Sequence, residues 1–167
     1  NFISGNKEGG IIIDHLGTQN TVQRNYIGTK RTGTESHPNL NGVDIAGNVN
    51  FVRNNIIAGN TERGVTIERH VESDAIPTGN VVENNRIGLS LNDVMLPQEK
   101  GVYVQGIGNT IQNNNISGNS IAGIDILGDS NSILNNLIGT DRTGNEARPN
   151  TDFGILITSS NNTISGN

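Results

Sequence analysis

Three carboxylates and one arginine are the residues best placed for chemistry. Asp14, Asp44 and Glu68 fall at similar places in successive stretches of the chain, and Arg69 and His70 directly follow Glu68. Carboxylates on one face can work as an acid/base pair on a glycoside or hold calcium. The same residue types also make an ordinary solvated acidic face, so their meaning depends on what positions them. The histidines are His15, His37 and His70. None has a second His at metal-ligand spacing, which reads as surface loop chemistry. Cysteine is absent, which excludes disulfides and thiol catalysis.

A repeat positions these residues. The pattern Asn-x-[Val/Ile] starts at Asn20, Asn50, Asn80, Asn109, Asn131 and Asn162, and a second Asn follows five residues later each time. A Gly-[Ile/Val]-x-[Ile/Val] block starts at Gly10, Gly42, Gly64, Gly101, Gly123 and Gly154. Repeats of this length mark a solenoid. Each unit holds three short segments that alternate with period two, the signature of strands with one buried face. Four aliphatic columns result. Ile11, Val43, Val65, Val102, Ile124 and Ile155 form one, and Ile13, Ile45, Ile67, Val104, Ile126 and Ile157 the next. Val22, Val52, Val82, Ile111, Ile133 and Ile164 form the third, and Ile3, Ile27, Ile57, Ile87, Ile116 and Ile138 the fourth. β-Branched residues at every position suit pleated, buried strands. A propeller is disfavoured by three strands per unit and the lack of Trp.

The turn between the second and third segments has constant length, with Arg24-Asn25, Asn54-Asn55, Asn84-Asn85, Asn113-Asn114, Asn135-Asn136 and Gly166-Asn167 at its two positions. Asn and Gly tolerate the left-handed backbone region, so one of the two positions is expected to have positive φ. Asn side chains one coil apart can hydrogen-bond along the axis as a ladder. These features resemble the right-handed parallel β-helix of the pectate-lyase-like superfamily, and the resemblance spans residues 1–167. It implies an all-β solenoid of about six three-strand coils with an asparagine-ladder turn. It leaves activity open, because that superfamily includes lyases, hydrolases, epimerases, tailspikes and adhesins. Its catalytic patterns are mostly missing. Asn150-Thr151-Asp152 matches one polygalacturonase-like element without its partners, and the Asp-Pro-His of alginate epimerases is absent. A pectate-lyase-like site would need acidic calcium ligands beside an Arg base, and Arg69 near Asp44 and Glu68 is the one candidate.

Coils alternate between short and long. Long loops follow Ile27-Gly28-Thr29, Ile87-Gly88-Leu89 and Ile138-Gly139-Thr140, and a separate insertion runs from Arg69 to Gly79. Insertions in a solenoid concentrate on one face, often the binding face. The strand after the long loops should present Ile12, Asp44, Thr66, Tyr103, Asp125 and Leu156 outward, then Asp14, Ala46, Glu68, Gln105, Leu127 and Thr158. With coils about 4.8 Å apart, Asp14, Asp44, Glu68 and Arg69 become the candidate catalytic set. Arg53 and Glu83 are expected to pair on adjacent coils.

The net charge of −5 carries no basic footprint for nucleic acid, and no apolar run approaches a membrane span. The chain is expected to be one domain, 1–167, within a longer solenoid. The expected role is a structural or adhesive segment of a larger extracellular bacterial or phage protein, with polysaccharide as the ligand class. The rival is a carbohydrate-active enzyme, a lyase, hydrolase or epimerase on an acidic polysaccharide. No cofactor is expected for the first role, and calcium is the ion the second would use. Asn167 occupies the turn position of Asn1 six coils on, so end-to-end self-association is also expected. Light scattering should show mass rising with concentration, and a mass fixed at 17.7 kDa would refute it.

Overall fold

A computed structural model describes all 167 residues. It contains strands and no helix, arranged as three parallel six-stranded sheets. Each coil gives one strand to each sheet. The long-strand sheet is built from Gly9–Ile13, Asn41–Ile45, Arg63–Ile67, Lys100–Val104, Ala122–Ile126 and Phe153–Ile157. A middle sheet of three-residue strands includes Phe51–Arg53 and Val81–Glu83, and a short-strand sheet includes Ile56–Ile57 and Arg86–Ile87. Parallel pairing with crossovers wound one way makes this a right-handed parallel β-helix.

The four aliphatic columns fill its centre. All 18 buried core residues belong to them, and Ile3, Ile11, Ile138 and Ile155 pack against that core. Ile157 and Ile164, on the last coil, are partly exposed at 36% and 44%. The glycine that opens the block is buried in the four central coils, at Gly42, Gly64, Gly101 and Gly123. A Cβ on Gly42 would come within 2.4 Å of the Gly64 carbonyl and 2.7 Å of Ile57. Only the lack of a side chain lets neighbouring coils approach there.

The turn between the middle and short strands has the expected geometry. Its first residue is left-handed in every coil, at Arg24, Asn54, Asn84, Asn113, Asn135 and Gly166. Its second residue is the ladder Asn. From Asn55 onward each Asn Oδ1 accepts from the backbone N–H and the Nδ2 of the Asn one coil earlier, as Asn85 does from Asn55 at 2.9 and 3.0 Å. Asn85 Nδ2 also donates to the Val52 carbonyl at 2.8 Å. A buried amide placed this way has its hydrogen-bonding capacity met.

Two further ladders run parallel to this one. Asn20, Asn50, Asn80, Asn109 and Asn131 repeat the same bonding at the entry to the middle sheet, and Asn162 accepts the Asn131 backbone N–H alone. There too the preceding residue is left-handed, and in one coil that residue is Val49, with φ 58°. The third ladder joins Asn6, Asn39, Asn60 and Gln98, and separately Asn119 and Asn150, before the long-strand sheet. It breaks between Gln98 and Asn119, where Gln98 Nε2 and Asn119 Oδ1 are buried without partners. The extra methylene of Gln puts its amide out of step with the coil spacing.

Surface pairings depart from the expectation in one place. Arg53 and Glu83 are in register, but Arg53 Nε donates to Gln23 at 3.3 Å and Glu83 accepts from Gln112 at 2.9 Å. Amides on the flanking coils compete for both groups, and the expected ion pair does not form. The long loops close on themselves through antiparallel bridges and touch one another, with Leu91 N–H donating to the Gly33 carbonyl at 3.0 Å.

Candidate functional site

The outer face of the long-strand sheet carries the candidate residues. Pairing puts Ile12, Asp44, Thr66, Tyr103, Asp125 and Leu156 in one row across the six coils, as the alternation implies. Asp44, Glu68 and Arg69 line a groove of about 260 Å³ together with Ile12, His70 and Val71. The groove exists because the insertion after Arg63–Ile67 leaves the repeat path and stands up as a wall. Asp14 is not part of its lining. It lies beside it, with Oδ1 3.8 Å from His70 Nε2.

The members of the set are in different electrostatic states. Burial pushes the Asp44 carboxyl above its usual range. Thr66 and Asn41 flank it and pull the other way, Glu68 adds to the rise and Arg63 opposes it. Asp44 Oδ1 and Thr66 Oγ1 are buried without a hydrogen-bond partner, and desolvation is the largest influence and decides the direction. Glu68 is paired with Arg63, Oε2 to Nη1 at 3.2 Å. Arg69 is 3.7 Å from the exposed Asp74 carboxylate and remains open to solvent. Asp14 is held below the usual carboxylate range by the His15 side chain and backbone N–H, at 2.8 and 2.6 Å.

A second cluster on this face was not singled out by the sequence. Tyr103, a member of the outward row, is only 7% exposed. The Arg63 guanidinium stands 4.0 Å from its ring centre and the Lys100 ammonium 4.8 Å, both within cation–π range. Gln105 donates to its hydroxyl at 2.6 Å. Lys100 also pairs with the buried Asp125 at 2.7 Å. The missed signal is the position just before each block glycine, where Asn41, Arg63 and Lys100 lie in register. The covered ring offers no open stacking platform for a sugar.

The three carboxylates do not converge on a calcium-like cage of oxygens. The one cluster of three metal-ligating side chains is Asp14, His15 and His70. The Asn150-Thr151-Asp152 stretch serves the fold: Asn150 extends the third ladder and Thr151 N–H donates to the Asn119 carbonyl. A hollow of about 340 Å³ lies at the asparagine-turn edge, away from the candidates, with Arg86 and Arg142 on its wall. Arg86 there is already paired with Asp93.

No protein-family model and no curated protein matches the sequence. Among solved structures the chain is similar to the A-module of the mannuronan C-5 epimerase AlgE4 of Azotobacter vinelandii, with a TM-score of 0.63 and 16% identity. The match covers 99% of this chain and 52% of that one, so the chain spans about half the length of that module. At this identity the likeness shows the parallel β-helix fold.

The raised Asp44 carboxyl has a signed consequence for stability. The folded state binds this proton more tightly than the unfolded chain, so Asp44 costs nothing in acid and increasingly destabilises as pH rises through its folded pKa. Asp44→Asn should therefore gain thermal stability over the native chain at about pH 7 and lose that advantage near about pH 4. Paired melts across this range check it. A difference that is flat, or that grows toward acid, contradicts the raised pKa of this half-buried carboxyl.

Proposed function

We propose that the chain is a carbohydrate-binding segment of a larger extracellular β-helix protein, bacterial or phage in origin. The groove at Asp44, Glu68, Arg69 and His70 is its ligand site. One observation carries the reading: the aperiodic insertion borders an open groove lined by apolar Ile12 and Val71 together with a small set of polar groups. Ligand sites combine apolar lining with a few placed polar groups in this way. The remaining coils follow a regular alternation of short and long loops, as suits a stalk that presents a site. The structural neighbour is named as acting on mannuronan, which supports a uronate polysaccharide as the ligand class. The overall charge of −5 is no obstacle. Charges further off than about 10 Å are screened at ordinary salt, and Arg69 and His70 face the ligand directly.

Asp44 favours a second reading, catalysis on the same ligand. A carboxyl with its pKa raised by burial, beside a second carboxylate, is suited to general acid/base work. The two readings separate in one experiment. Oligomannuronate and oligogalacturonate are titrated against ¹⁵N-labelled protein, and the same mixtures, with and without calcium, are followed for unsaturated uronate, reducing ends and exchange at C5. The binding reading expects amide shifts around Asp44, Glu68 and His70, loss of about tenfold or more in affinity in Arg69→Ala, and an unchanged polymer. Product formation that Asp44→Asn abolishes would establish catalysis. No shift with any uronate oligomer would refute both.

A further inference from the structure

We propose that Asp14, His15 and His70 form a binding site for a divalent transition ion of the zinc class, which clasps the insertion to the first coil. Each residue offers one ligand atom, and the three atoms lie within 4.8 Å of one another. Asp14 Oδ1 is 2.8 Å from His15 Nδ1 and 3.8 Å from His70 Nε2. Tetrahedral ligands at zinc bond lengths of about 2.0–2.1 Å are about 3.3 Å apart, so small side-chain rotations close the set. The two imidazole rings already stand face to face, with centres 5.3 Å apart and planes 28° from parallel.

The fold supplies reasons for this meeting. His15 belongs to the first coil and His70 to the third, and the second coil has only Ala46 and Gly47 in the corresponding places. No bulk there separates the rings. The backbone behind His15 is fixed, because Gly47 approaches Gly17 so closely that a Cβ on Gly47 would lie 1.8 Å from the Gly17 carbonyl. His70 comes from the one segment that leaves the repeat path. The first-coil half is therefore preorganised and the insertion half is adjustable.

The chemistry of the donors selects the ion. Two imidazoles and one carboxylate suit zinc, nickel or copper, whereas calcium and magnesium take oxygen ligands. The Glu72 N–H rests on His70 Nδ1 at 3.2 Å, which leaves Nε2 facing Asp14. Ligation through Nε2 moves the proton of the neutral ring to Nδ1 and releases the Glu72 contact in the exposed loop. The fourth position of the ion stays open to water or ligand. Bound metal would fix His70 and Val71 as the groove wall, and this site stands whether or not the groove takes a sugar.

Zinc chloride titrated by calorimetry into the metal-stripped chain tests the proposal without any carbohydrate. The expected result is one zinc per chain, with calcium giving no comparable heat and zinc raising the thermal midpoint. His15→Gln and His70→Gln should each weaken binding by about tenfold or more, while His37→Gln leaves it unchanged. Circular dichroism of each variant shows whether it is folded. Imidazole NMR of the native chain gives a readout independent of mutation: zinc should shift the rings of His15 and His70 and not that of His37. Absence of saturable zinc binding would overturn the proposal, as would equal shifts at all three rings.

Discussion

The amide-to-amide hydrogen bond between equivalent asparagines one coil apart is the constraint on which the structure depends. A ladder Asn takes its position along the axis from its neighbour, as Asn80 does, whose Oδ1 receives both the backbone N–H and the Nδ2 of Asn50. Val49 shows how strong the constraint is. A β-branched residue in the left-handed region costs about 1–2 kcal/mol. Leaving a buried amide group unpaired costs about 1–3 kcal/mol for each group. Asn50, the next residue, engages both Asn80 and the Gly17 carbonyl and accepts from Asn20. Several bonds outweigh one strained dihedral, and the turn keeps its shape whatever side chain precedes the Asn.

With register fixed at the corners, the rest follows by stacking. The Ile and Val columns need no individual fit, because each residue meets its own equivalent one coil away. The glycine row brings the coils close on the side of the long-strand sheet. Function then has little room within the repeat. It falls to the outward row of that sheet and to the one segment that leaves the repeat, residues 69–79. The groove, the raised Asp44 carboxyl and the His15–His70 pair all lie where that segment meets the first three coils.

The repeat was legible because its physics is local and periodic. Period-two alternation identified the columns, and the six Asn turns identified one ladder and its left-handed residue. The other ladders were harder to see. That of Asn50 and Asn80 was visible only as a spacing, with Gln19 and Val49 masking the turn signal. That of Asn39, Asn60 and Gln98 runs through loops of unequal length. Alternation puts Asp44 in the outward row, Glu68 lines the same groove, and Asp14 stands outside it. The meeting of His15 with His70 was not readable, since it depends on the path of an insertion with no periodicity of its own. The Arg63–Tyr103–Lys100 cluster was readable in principle from register, but its members sit either side of the strand glycine, where the alternation breaks.

Hydrogen exchange followed residue by residue tests the central role of the ladders most directly. The backbone amides of Asn50, Asn80, Asn55 and Asn85 donate to asparagine side chains and not to a backbone carbonyl. If the ladders hold the coils in register, these amides exchange as slowly as those of the central strands and open only with global unfolding. Exchange as fast as at the exposed loop residue Arg142 would mean that the aliphatic columns alone set the register and that the ladders merely follow.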